Sequence, residues 1–443
     1  MKSINHAIAK YEQMILDAER HIWKNPETGY KEFKTTAYLA ENFRALGYEL
    51  TMAEGITGFY TVLDTGREGP EVLVLGELDS VICPTHPECD PQTGAVHACG
   101  HHAQCAALLG IAAALREPGV LDGLSGRIRL CAVPAEELLE IEFRSGLKAE
   151  GKIKYFGGKS EFLSRGYFDG VDLAFMIHTG GEFLVRAGFN GCLAKQVIYK
   201  GRATHAGGTP EKGINALYAA NCGLNAVNAL RETFRDEDYV RVHPIVTAGG
   251  SMVNAIPDRV VMESYVRGKT FDAMLAANER INRALTGAAF SLGANVEIID
   301  SPGYSPENND MGMMQLAVDA AALALPDKKV RFAPYEYSKG SSDMGDLSCI
   351  MPVAQPYVPG RVGNAHGADY FITDPRSATV ESARWQLAML KLLLSDGAKR
   401  AKQIVADFVP QFASKADFLA YVDAINSSGD RIVYHDDGTA TLR

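Results

Sequence analysis

Hydrophobic positions recur with a helical period from about Ile4 to Lys24, and again from Thr35 to Leu46, where Gly47 ends the pattern. The apolar run Glu71–Val72–Leu73–Val74–Leu75–Gly76 lies between polar loops and has the length of a buried strand. Gln104 to Leu115, rich in small residues, predicts a helix stopped by Pro118–Gly119. Arg127 to Val133 alternates as a strand does, and Leu173 to Ile177 adds another short apolar strand. Strands separated by helices predict an α/β sheet with a parallel component, flanked by helices.

Near Gly188 the pattern changes. Strands are predicted at Lys195–Lys200, Val240–Thr247, Asp258–Arg267 and Asn295–Ile299, with helices at Ile214–Glu232 and Phe271–Phe290. The order β-α-β-β-α-β is that of a ferredoxin-like α+β unit. After Ser301–Pro302–Gly303 the chain returns to α/β material, with a helix near Met311–Leu325, a strand at Ile350–Tyr357 and a helix near Ser377–Leu394. Residues 188–301 therefore read as a domain inserted into an α/β domain made of 1–187 and 302–443. The stretch after Lys399 is helical, then polar, and carries no assignment.

Composition narrows the function. With 443 residues, 47% hydrophobic and 22% charged, the chain is a folding one, long enough for two cores. A formal charge of −10 without a basic block argues against nucleic acid or an anionic membrane as partner. The longest clean apolar run, Ala106 to Leu115, falls well short of the roughly 20 residues a membrane span needs. The N-terminal segment reads as a charged amphipathic helix without a signal peptide's apolar core. Eight cysteines without a CxxC pair fit reduced thiols, so a cytoplasmic location is expected.

Several polar clusters follow predicted strands, where open α/β sheets place their ligand sites. Glu77–Leu78–Asp79 follows the strand at 71–76, and the loop His97–Ala98–Cys99–Gly100–His101–His102 enters the helix at 104. Glu136–Glu137 follows the strand at 127–133, His178 ends the strand at 173–177, and His366 lies in Gly363–Gly367. Cys, His and Glu are ligands of zinc and similar ions. Taken singly, a strand-end His such as His178 is more often a hydrogen-bonded residue, Glu136–Glu137 is usually a solvated face, and Cys105 reads as a packed core thiol. Their convergence on one sheet edge favours a metal site. Phosphate-loop, dinucleotide, nucleophile-elbow and H-E-x-x-H signatures are all absent from the sequence.

Leu75–Asp79, His97–His101, Pro134–Glu137, Gly201–Ala206, Asn254–Asp258, Gly340–Gly345 and Ala365–His366, in this order and spacing, resemble the aminoacylase and carboxypeptidase-G-like metallopeptidase family. The similarity is strongest to its amidohydrolase branch, which includes aminobenzoyl-glutamate hydrolase and β-alanyl-lysine dipeptidase. The resemblance implies two divalent ions in each protomer, Zn2+ or Mn2+, bridged by Cys99. His101 and His178 would complete one ion's ligands, Glu137 and His366 the other's. Glu136 would be the general base on a water between the ions. Asp79 would support the ligands from behind. Two departures stand out: His102 follows the ligand histidine where the branch often has Asp or Asn, and Glu77 occupies the place of a family histidine.

The resemblance further implies an N-acyl amino acid or dipeptide substrate with a free carboxylate. Arg267 and Asn254 would bind that carboxylate, and His205 would reach the substrate carbonyl from the partner protomer of a homodimer formed through the inserted domain. From the residues alone, a strand-end Arg is usually a solvated charge and an Asn before a Pro turn is turn chemistry. Two other readings stay open: a cysteine-dependent amidase using Cys99 with His97 or His101, and a non-catalytic metal-binding homologue. Chelation separates the first from a metal hydrolase, and Glu136 speaks against the second, because a metal buffer needs no general base.

Overall fold

The computed structural model describes residues 2–443. It divides into two units. The first comprises the chain up to Gly188, Glu307–Tyr337 and Asp343–Lys415, and the second Phe189–Pro306, Ser338–Ser342 and Ala416–Arg443.

In the first unit, six strands form a mixed sheet in the order Thr51–Met52, Phe59–Asp64, Arg127–Val133, Glu71–Glu77, Leu173–Phe175, Val353–Ala354. Glu71–Glu77 is buried along its whole length and pairs in parallel with both neighbours, which is why it reads as an uninterrupted apolar run. Its register sets Glu77 opposite Val133, so these two strands end level, while Leu173–Phe175 ends opposite Val74. The helix His101–Leu115 is buried at every residue, which matches its small, all-round apolar composition. Cys105 packs in this core as a thiol, its Sγ donating to the Glu77 carbonyl at 2.9 Å. Among the described residues, no helix is long and apolar enough to cross a membrane.

The second unit is an antiparallel sheet in the order Arg241–Val242, Arg259–Gly268, Gly191–Lys200, Asn295–Tyr304, Ser427–Asp430, with Ile245–Ala248 also on Arg259–Gly268. Helices Ala216–Leu230 and Phe271–Ser291 pack together in it. This is the ferredoxin-like order that the sequence pattern predicts, with an added strand. The structure differs from the expected boundaries in three places, one of them Ser338–Ser342, which belongs to the second unit. The cut after 301 falls inside Asn295–Tyr304, and residues 416–443 join this unit because Ser427–Asp430 pairs with that same strand. Expected Val240–Thr247 is two short strands broken at Pro244, and expected Ile350–Tyr357 is likewise interrupted at Pro356, since proline has no N–H for a ladder.

Candidate functional site

Three parallel strands of the first unit end where the candidate ligands begin. After Glu77 the chain turns, and Asp79 is completely buried beneath the site. Its Oδ2 accepts from the Glu137 amide at 2.7 Å, while His101 Nδ1 lies 3.1 Å from its Oδ1 and 3.0 Å from its carbonyl oxygen. His101 therefore donates through Nδ1, and its Nε2 is turned inward, buried without a hydrogen-bond partner.

Cys99 and His101 flank a residue that must be glycine. Gly100 has φ 101°, and a Cβ there would stand 2.0 Å from Thr179 Oγ1. It caps the helix in a left-handed conformation and turns His101 into the first helical turn. His178 comes from a two-residue strand whose register sets it opposite Tyr357. Its Nδ1 donates to the Thr179 carbonyl at 2.9 Å, which leaves Nε2 facing Cys99 Sγ at 3.6 Å.

On the other side, Ala135 has φ 54° and its amide is held by Glu32 Oε1 at 2.8 Å. Glu136 and Glu137 follow directly on that kink and fall into different donor groups, Glu136 with Glu77 and His101, Glu137 with Cys99 and His366. Glu137 Oε1, buried without a hydrogen-bond partner, lies 3.0 Å from His366 Nε2. His366 itself has φ 64°, and its amide is tied to the Ala98 carbonyl at 2.8 Å.

These residues fall into three overlapping groups whose donor atoms lie within 4.8 Å of one another: Cys99–His101–His178, Cys99–Glu137–His366 and Glu77–His101–Glu136. The orphaned His101 Nε2 and Glu137 Oε1, together with a Cys/His/Glu donor set, fit divalent ions. Electrostatics agree. Burial and Glu137 push the Cys99 thiol up, but His101 and His178 outweigh them and bring it down to about 6. Against burial, His366 holds Glu137 well below the usual carboxylate range, and Glu137 in turn raises His366 to about 11. Burial, then Glu77, Glu137 and Asp343, push Glu136 well above that range.

Glu77 acquires a setting that the sequence did not reveal. Lys159 is completely buried and reaches both Glu77 Oε1 and Asp343 Oδ1, while Gln104 Nε2 holds the other Glu77 oxygen at 2.8 Å. Burial opposes its ionisation, but Lys159 brings Glu77 down to about 2. A lysine is ordinarily solvated, so nothing at 159 marks it; the glycine pair before it and Asp343 in the Gly340–Gly345 stretch were the available signals. At the other departure, His102 Nε2 lies 3.1 Å from buried Glu19 Oε1. His97 belongs to none of the three groups.

His205, Asn254 and Arg267 belong to the second unit. The structure brings the first two together: His205 bridges Ala255, and the Ala206 amide donates to the Asn254 carbonyl at 2.9 Å. His205 Nδ1 accepts from the amides of Gly207 and Gly208 at 3.1 and 2.9 Å, so a neutral ring carries its proton on exposed Nε2. Arg267 lies on another strand, in register with Arg241 and Cys192.

Residues 73–390 match the profile of peptidase family M20/M25/M40. The chain is 29% identical over 344 residues to N-acetyl-L-cysteine deacetylase from Bacillus subtilis, covering 72% of this chain and 74% of that protein. It is 27% identical over 355 residues to an indole-3-acetyl-aspartic acid hydrolase from Enterobacter agglomerans, covering 67% and 76%. Its fold is similar to that of a dinuclear metal-binding M20 peptidase from Bacillus subtilis, with TM-score 0.64, 21% identity and coverage of 87% and 99%.

Proposed function

The chain belongs to peptidase family M20/M25/M40, metal-dependent hydrolases of amide and peptide bonds, and from that premise we propose that it cleaves N-acyl or aminoacyl amino acids bearing a free carboxylate. Cys99 would be shared between two divalent ions, Zn2+ or Mn2+, with His101 and His178 on one and Glu137 and His366 on the other. The observation that carries this reading is the single cysteine common to two three-donor groups, with Glu136 in neither of them. Bound there, the ions would acidify a water and polarise the substrate carbonyl.

The chain's own residues supply the rest. Glu136 takes a proton from the attacking water as the C–O bond forms, and delivers it to the amine nitrogen as the C–N bond breaks. Asp79 fixes the His101 ring, keeping Nε2 inward. His205 Nε2–H donates to the carbonyl oxygen as negative charge builds there, and Arg267 with Asn254 holds the carboxylate of the leaving amino acid.

We assign a homodimer to the second unit. One edge of its sheet is covered by Ser427–Asp430, whereas Ile245–Ala248 at the other edge is exposed along its length. Ile245 is 61% exposed, and Met252 and Val253 are exposed beside it in sequence, a combination that invites pairing with a second copy. The direct test of the function is chelation. Hydrolysis of N-acyl amino acids should stop on metal removal and return on readdition; activity that survives chelation would point to cysteine-dependent chemistry instead.

A further inference from the structure

The second unit contains a cationic pocket with no carboxylate to balance it. Strand Arg241–Val242 is antiparallel to Arg259–Gly268, and the register sets Arg241 directly opposite Arg267. Residues opposite each other in such a pair share a face, where like charges cost stability. By the period of two, His243 and Tyr265 fall on that face as well. With Lys339 these four residues line a cavity of about 270 Å³.

What neutralises the pocket is telling. Among the described residues, none of Arg241, Arg267 and Lys339 has a carboxylate partner. Arg267 lies over the Tyr265 ring at 5.5 Å, Lys339 over Tyr239 at 5.1 Å, and Arg241 donates to the Val240 carbonyl at 2.8 Å. Partial burial first, and then the nearby arginines 231, 267 and 241, hold His243 below its ordinary value. A chain with a net charge of −10 has carboxylates to spare, yet none is placed here. An uncompensated cluster of three cations costs folding energy and is relieved by a ligand that carries more than one negative charge.

We infer that the leaving amino acid is acidic, with two carboxylates: Arg267 takes the α-carboxylate, as in the function proposed above, on which this inference rests, and Arg241 with Lys339 takes the side-chain carboxylate. A lysine or arginine leaving group would bring a cation into a cationic pocket and be rejected by repulsion.

The test compares matched substrates on the metal-loaded enzyme: N-acetyl derivatives of glutamate, of its neutral isostere glutamine, and of lysine. The kcat/KM for the glutamate derivative should exceed that for glutamine by at least ~10-fold, as expected of a charged hydrogen bond, with lysine last. Arg241→Gln should collapse the glutamate-to-glutamine ratio to within about threefold. Lys339→Gln, at an exposed position that carries little folding risk, should lower it in the same direction. Calorimetric binding of free glutamate, weakened by both substitutions, gives a readout independent of turnover. An active enzyme that treats glutamate and glutamine alike, or prefers lysine, overturns the acidic leaving group and leaves the amide hydrolase standing. No hydrolysis of any N-acyl amino acid by the metal-loaded protein removes the underlying reading instead; absence of glutamate binding then overturns the pocket as well, and binding that Arg241→Gln weakens retains it.

Discussion

Replacing Lys159 by methionine isolates the buried charges beneath the site. Lys159 reaches two carboxylates, Glu77 and Asp343, all three with side chains fully buried. His101 Nε2 also lies 3.3 Å from Glu77 Oε2, so the two acids are not equally served. Burial pushes Asp343 up to about 7 despite Lys159, whereas Glu77, also bonded by Gln104, is held at about 2. Against burial, Lys159 first and then His101 and His178 hold Glu77 below its ordinary value. Stranding a buried charge by removing its partner costs about 3–5 kcal/mol.

The pH dependence follows from the directions of the shifts. Lys159 is raised above its ordinary value, so its contribution is complete below the unfolded-state value of roughly 10.4 and lost only as pH climbs through the folded one. Glu77 is lowered, so its contribution is present above roughly 4.3 and lost as pH falls toward 2. Lys159→Met should therefore be destabilised by about 3–5 kcal/mol at pH 8. It should lose much less at pH 5, where the stranded Glu77 takes up a proton. Both tryptophans, Trp23 and Trp385, lie in the first unit, so their fluorescence in urea at fixed metal concentration follows the unfolding of that unit. Lys159→Met with Glu77→Gln should recover ~1 kcal/mol or more over Lys159→Met alone at pH 8. A loss below ~1 kcal/mol at pH 8, or an equal loss at pH 5 and pH 8, would refute the ion-pair account.

Cys99→Ala should lose activity and most of both metals; full metal content by elemental analysis would defeat the shared-ligand assignment. Glu136→Gln should keep both metals and lose at least ~100-fold in activity, whereas Glu137→Ala should lose metal, and exchanged phenotypes would mean the two roles are reversed. Arg267→Ala should raise KM for carboxylate substrates and narrow their preference over the corresponding amides by about 1.5–3 kcal/mol, and an unchanged preference would take Arg267 out of the site. His205→Ala and Glu136→Ala, each nearly inactive alone, should recover roughly a quarter of wild-type activity when mixed in equal amounts, since half the dimers are mixed and each has one intact site. No recovery, with protomer exchange shown by differently tagged chains, would rule out a site completed by the partner.

Much of this arrangement was legible in the chain because it rests on local periodicity. Glu71–Glu77 is fully buried and therefore apolar throughout, and the ligand segments follow the strand ends in order. Long-range pairing was not legible. Ser427–Asp430 joins the second unit through a partner more than a hundred residues away, and its short polar sequence, Ser-Ser-Gly-Asp, has no strand signature of its own. Lys159 escaped for the same reason: its meaning depends on Glu77 and Asp343, which lie 82 and 184 residues away along the chain. Glu32, buried and bonded to the Ala135 amide, is a third such case.

The donors converge through backbone conformations that L-residues seldom adopt. Gly100 lies between Cys99 and His101, Ala135 precedes Glu136, and His366 is itself left-handed. For Gly100 the conformation is free of a side-chain penalty, and the space it would need is already taken by Thr179. For Ala135 and His366 each left-handed residue costs about 1–2 kcal/mol, and each is tied down by a hydrogen bond from its own amide, to Glu32 and to Ala98 respectively. The Ala98 tie links the His366 loop directly to the residue before Cys99, so two donors of one group are fixed by a single backbone bond. Strain of this kind persists only where surrounding contacts over-determine it. Its placement at Ala135 and His366, next to the donors, marks these two turns as part of the fold built to set ligand geometry.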